Sequence, residues 1–117
     1  MTSFVDSHCH INFPELYANI DTIFSKMVSN KVTHALCVSV TLDKFPDIFK
    51  IANTYPHIFA SVGVHPDYED IVEPTVEELC RYAKEKKVVA IGETGLDYFR
   101  VQGDLTWQRD RFRTHIK

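Results

Sequence analysis

Short apolar runs bounded by turn residues alternate with helical patterns along the whole chain, at intervals of roughly 25 to 30 residues. The runs are Phe4-Val5, Ala35 to Val38, Ile58 to Val62 and Val88 to Ile91. Unbroken apolar runs of this length suit strands buried on both faces of a parallel sheet. Between the first two, Leu16, Ile20, Ile23, Phe24, Met27 and Val28 recur at helical spacing, with Pro14 where a first turn tolerates it, which predicts one amphipathic helix. Phe45, Ile48, Phe49 and Ala52 predict a second helix, and Val76, Leu79, Cys80 and Ala83 a third, opened by a capping box of Thr75 and Glu78. A weaker helical pattern starts at about Asp104 and uses Leu105, Phe112 and Ile116.

Strands alternating with helices in this way give an α/β protein whose crossover helices cover a parallel sheet. An open doubly wound sheet and a (β/α)8 barrel of the TIM type both satisfy the pattern. No Gly-rich fingerprint follows the first strand, which removes the usual dinucleotide-binding version. A complete barrel needs about 250 residues, so the parallel (β/α) units of this 117-residue chain amount to about four of eight, a half barrel. Residues 1–117 read as a single domain, with no internal repeat or linker.

The charge balance narrows the function. A formal net charge of −3 and a pI near 6.0 exclude a broad basic surface gripping long duplex DNA. Cys9, Cys37 and Cys80 are an odd number, and two of them fall in apolar runs expected in the core, so a disulfide framework is not expected and a reducing, cytoplasmic setting is. No stretch approaches the roughly 18 consecutive apolar residues of a membrane helix, and the N-terminus shows no signal-peptide pattern, so a soluble chain with no membrane partner is expected.

The strongest chemical signal is Asp6-Ser7-His8-Cys9-His10 at the end of the first strand. A period of two sends both imidazoles to one face, where two nitrogens can grip one metal. A nearby carboxylate, Asp6, is a candidate to orient a ligand from behind. Histidines on a half-buried strand are the plain alternative. Gly92-Glu93-Thr94-Gly95-Leu96-Asp97 adds Glu93 at the C-terminal tip of the fourth strand, the end at which barrel active sites lie. A carboxylate there can bridge two ions about 3.5 to 4 Å apart. Gly63-Val64-His65-Pro66 sets His65 just past the third strand, as a candidate to hold substrate. His34 and His57 are expected before their strands, at the opposite rim, and His115 on the last helix. Beyond Glu93, Arg100 can meet a phosphate and Tyr98 can stack on a base, and an ordinary solvated loop fits equally. No nucleophile elbow, Cys-x-x-Cys spacing or phosphate-cradling Gly-rich loop competes.

With these three motifs the chain resembles the TatD family of metal-dependent deoxyribonucleases, which are amidohydrolase-like barrels. Phe4 to Asn12 is similar to the family's opening signature, Gly63 to Pro66 to its third-strand motif and Gly92 to Tyr98 to its fourth-strand motif. Trp107-Gln108-Arg109 with Phe112 resembles the helix that follows. The resemblance implies that His8 and His10 bind one metal and that Glu93 bridges two divalent ions, with magnesium, manganese and zinc all open. It further implies cleavage of DNA phosphodiester bonds by a metal-activated water, with DNA ends or short single-stranded DNA as substrate. His65 would lie against the substrate on this resemblance, while Arg100 as a second substrate-binding residue and Asp6 and Asp97 behind the ligands are candidates from the residues themselves. The family's later histidines and its late catalytic aspartate have no counterpart in this sequence. Two alternatives therefore stay open: an inactive fragment or binding protein of the same fold, or a related amidohydrolase acting on a non-nucleic-acid ester or amide. Unpaired outer strands would also favour self-association.

Overall fold

The structure is a computed structural model that describes residues 2–117. In chain order it has β1 (Phe4–Cys9), α1 (Pro14–Tyr17), α2 (Ile20–Ser29), β2 (Val32–Cys37), α3 (Phe45–Thr54), β3 (Ile58–Val62), α4 (Val76–Ala83), β4 (Val88–Ile91) and α5 (Thr106–Ile116). The strands form one sheet in the order β1-β2-β3-β4, and each neighbouring pair is parallel. Every crossover thus steps in the same direction. A doubly wound sheet reverses direction part-way, so the topology is that of four successive units of a barrel.

The core lies between the sheet and its helices. Ala35 and Cys37 of β2, Ile58, Ala60 and Val62 of β3 and Val88 of β4 meet Phe45, Ile48, Ile51 and Ala52 of α3, Leu79 of α4 and Ile20 of α2. Alternation along each strand turns Leu36, Phe59, Ser61, Val89 and Ile91 to the other face. That face is open: Val89 and Ile91 are both exposed. A cleft of about 330 Å³ between His8, Leu36, Val38, Ser61, Ile91 and Glu93 runs along it. The two edge strands β1 and β4 each pair on one side only among the described residues.

Several expectations need correction. The single helix expected after β1 is two. Asn19 leaves helical geometry (φ −117°, ψ 24°), and its side-chain amide donates to the Glu15 carbonyl at 3.0 Å, taking an acceptor that the helix would otherwise use. The second strand starts at Val32, so His34 lies within β2 rather than before it. Its exposed residues Thr33 and His34 carry no apolar signal and hid the strand's first half. Cys80, expected in a core run, is exposed. Two of the four apolar runs match strand bounds, β3 and β4, and both halves of the Thr75–Glu78 capping box are formed.

The last helix packs through polar residues. Gln108, Arg111 and His115 are buried, whereas Ile116, counted in the apolar stripe, is 67% exposed. His115 Nδ1 lies 2.8 Å from the Arg111 carbonyl, and Nε2 accepts from the Val64 main-chain N–H at 3.0 Å. Burial, aided by the Arg111 charge, holds the imidazole below its ordinary pKa. The unfolded chain, with a histidine pKa near about 6.5, therefore takes up the proton first. The stability that this neutral histidine contributes is complete above that pH and is lost as the pH falls through it. Thermal unfolding between about pH 7.5 and about pH 5 should show this loss in the native chain and a flatter profile in His115→Gln. Equal slopes would contradict the assignment.

Candidate metal centre

The C-terminal ends of the strands form a rim knitted by main-chain and hydroxyl hydrogen bonds. Val38 N–H donates to Cys9 O at 2.9 Å, His65 N–H to Val40 O at 2.9 Å, Gly92 N–H to Val62 O at 2.9 Å and Glu93 N–H to Ser39 O at 2.7 Å. Two buried hydroxyls bolt these loops from inside. Ser61 Oγ accepts from Ser39 N–H at 3.0 Å and donates to Gly92 O at 2.6 Å, and Ser39 Oγ lies 3.0 Å from Gly63 O. Buried hydroxyls of this kind stay paired because an unpaired one is costly. Neither serine belongs to a catalytic motif in the sequence. Their position at strand ends beside Gly63 and Val38 was the available signal.

This rim brings His8, His10 and Glu93 together. His8 Nε2 lies 3.3 Å from Glu93 Oε1 and His10 Nε2 lies 3.9 Å from Glu93 Oε2. One ligand atom from each residue falls within 4.8 Å of the others. Zinc takes nitrogen and oxygen ligands at about 2.0 to 2.2 Å, so donors of one ion stand about 3.3 to 4.3 Å apart, depending on the angle between them. The two measured separations fit that span. Two imidazoles and a carboxylate are a donor set suited to zinc and manganese. His10 is fixed from both sides: Nδ1 lies 3.2 Å from the Val38 carbonyl and the ring stacks on Phe13, centroids 4.8 Å apart. With Nδ1 donating to that carbonyl, Nε2 presents its lone pair to the centre. On the helix side, Cys9 and Cys37 are register partners of β1 and β2. A hydrogen bond between the thiols, together with burial, pushes Cys9 above the ordinary cysteine range.

The other expected residues divide. Asp6 meets His8 through its main-chain N–H, at 3.0 Å, rather than through the imidazole. Asp97 accepts from the Phe99 N–H at 3.0 Å, and its main chain is clasped by Gln108, which also donates to Pro66 O at 3.1 Å. His65 and Arg100 open onto the same cleft as His10 and Glu93. This cleft, of about 490 Å³, is completed by Phe13, Val40, Asp67 and Tyr68. Arg111, buried and paired to both carboxylate oxygens of Glu73 at 2.6 and 2.8 Å, donates to the His65 carbonyl at 3.0 Å. The last helix thus braces the loop that carries His65. Its buried polar stripe at 108, 111 and 115 was legible as helical spacing but reads as a solvated face.

Comparison with known proteins decides the family. The sequence model of TatD related DNase matches residues 5–117. The chain belongs to the TatD family. This TatD chain is 34% identical over 116 residues to an uncharacterized metal-dependent hydrolase of Buchnera aphidicola subsp. Baizongia pistaciae, covering 97% of the chain and 44% of the relative. It is likewise 34% identical to the uncharacterized metal-dependent hydrolase YcfH of Escherichia coli K12, over 97% of the chain and 43% of YcfH. Among solved structures it matches the crystal structure of YjjV, a TatD homolog of Escherichia coli K12, with a TM-score of 0.83 and 26% identity, over 97% of this chain and 45% of that one. The TatD chain therefore spans under half the length of these relatives. No described helix is long and apolar enough to cross a membrane.

Proposed function

We propose that the chain contributes the His-x-His and glutamate side of a divalent-metal hydrolase that cleaves phosphodiester bonds in DNA, at ends or in short single strands. The observation that carries this reading is the convergence of His8, His10 and Glu93 at the mouth of a cleft that also presents His65 and Arg100. A divalent ion held there would supply Lewis-acid polarisation of a phosphoryl oxygen and acidify water. The chain's own residues supply the rest. Arg100, 68% exposed, offers a planar guanidinium that suits a phosphate. His65 offers a ring nitrogen within the same cleft, and the aromatic faces of Phe13 and Tyr68 can pack against sugar or base. The net charge of −3 fits a short substrate gripped locally rather than a long duplex. On this reading the compartment is the cytoplasm, where the unpaired Cys9, Cys37 and Cys80 persist as thiols.

The test is hydrolysis of a short single-stranded DNA by the purified chain with manganese or magnesium, beside a chelator control and a panel of carboxylic and phosphotriester substrates. Metal-dependent release of nucleotides supports the proposal. Cleavage of the other esters with DNA untouched would shift the substrate class, and metal binding with no hydrolysis of either would favour a non-catalytic role.

The same reading predicts self-association of the 117-residue chain. Phe4 and Val5 on one edge strand and Val89 on the other are 57%, 63% and 58% exposed, and open edges carrying apolar side chains pair readily. Light scattering on a size-exclusion column at micromolar concentration should show species larger than 13.5 kDa. A stable monomer there would count against it.

A further inference from the structure

Asp67 lies between the two substrate-facing groups of the cleft. Its Oδ1 is 2.5 Å from His65 Nδ1 and its Oδ2 is 3.5 Å from Arg100 Nη1. The carboxylate is four-fifths buried, and the imidazole nearly so. A carboxylate offers only acceptors, so the hydrogen of the short contact sits on Nδ1. Nδ1 also lies 3.2 Å from the Asp67 main-chain N–H, but it cannot accept there while it donates to the carboxylate. Nε2 is then the free nitrogen of the ring, in a cleft that ends on Glu93 and His10. The second oxygen of the same carboxylate holds an otherwise exposed guanidinium over that cleft.

We propose that Asp67 is a positioning residue that fixes His65 as the Nδ1–H tautomer and tethers Arg100, preparing the cleft for a phosphoryl group beside the His8–His10–Glu93 set. The ligand class rests on the phosphodiester reading above, whereas the tautomer does not. In sequence Asp67 merely follows the Gly63-to-Pro66 motif and reads as a loop carboxylate in water.

The experiment has two arms, both on the metal-free chain. In the first, nitrogen-15 spectra of the histidine rings should show His65 with a pyrrole-type Nδ1 and a pyridine-type Nε2. In Asp67→Asn, whose amide can donate to Nδ1, the pattern should invert. In the second, thymidine 5′-monophosphate should bind about tenfold more weakly to Asp67→Asn, the loss expected when charge-assisted hydrogen bonds are misaligned. Charge alone predicts the opposite, since the variant removes a negative charge from beside an anion. An Nε2–H tautomer in the native chain, an unchanged pattern in the variant, or tighter nucleotide binding by the variant would overturn the proposal. A native chain with the expected tautomer that binds no nucleotide would leave the positioning assignment standing and overturn the phosphodiester reading instead.

Discussion

Replacing Glu93 with alanine is expected to lower the affinity of the chain for zinc or manganese by about a hundredfold or more. Loss of an outer partner of a metal ligand already costs about 10- to 100-fold, and Glu93 meets both imidazoles, through Oε1 to His8 and Oε2 to His10. Without it, two histidines remain, one of them about half exposed. The fold should be spared. The Glu93 carboxylate pairs with the two imidazoles, whereas the scaffold around it is held by main-chain bonds and by Ser39 and Ser61. Unfolding stability without metal should therefore move by only about 0.5 kcal/mol, as for substitutions away from the core. Calorimetric titration with each metal, paired with thermal unfolding in chelator, separates the two effects. Unchanged metal affinity in Glu93→Ala would refute the centre, and a collapse of stability would make the loss uninterpretable as ligation, in which case Glu93→Gln, of equal size, decides.

The sequence showed the centre more clearly than its supports, and the reason is physical. His8 and His10 are two apart on a strand, so a period of two was enough to place both imidazoles on one face, and Glu93 ends an apolar run whose strand character was plain. The supports act across the chain. Ser39 and Ser61, 22 residues apart, meet only because β2 and β3 are neighbours. Arg111 reaches back to Glu73 and to His65, and Gln108 ties Pro66 to Asp97. Side-chain chemistry alone does not say which polar residue will be buried. Local competition is also hard to read: Asn19 interrupts an otherwise regular apolar stripe with one side-chain hydrogen bond, and the stripe continues beyond it in α2. Asp6 illustrates the converse. Its place two residues before His8 invited a role behind the imidazole, yet on an extended strand the shorter reach is to the main-chain N–H.

Gly63→Ala is expected to damage both the fold and the centre, because Gly63 is where β3 abuts the segment that carries Glu93. A Cβ added at Gly63 would lie 2.5 Å from the Glu93 carbonyl oxygen, 2.6 Å from the Gly92 carbonyl carbon and 2.8 Å from the Gly92 oxygen. All three are main-chain atoms, so no side-chain rotation relieves the contact. Ordinary carbon contacts lie at about 3.5 Å or beyond, so the Gly92–Glu93 segment must retreat by about 1 Å. That retreat opposes the Ser61 hydrogen bond to Gly92 O and the Glu93 N–H bond to Ser39 O. Overpacking of this kind costs about 1 to 3 kcal/mol. The retreat also carries the Glu93 carboxylate away from His8 and His10, and a metal site tolerates ligand displacements of only about 0.2 Å. Metal affinity should therefore fall along with stability, which distinguishes this variant from Glu93→Ala. Gly92→Ala is the control, since a Cβ there meets nothing within 4 Å. Thermal unfolding in chelator and zinc titration of the three variants should place Gly63→Ala low on both measures, Glu93→Ala low on affinity alone and Gly92→Ala near the native chain. Native-like stability and affinity in Gly63→Ala would mean that the rim yields where the geometry says it is rigid, and that the position of Glu93 is set by something other than its packing on β3.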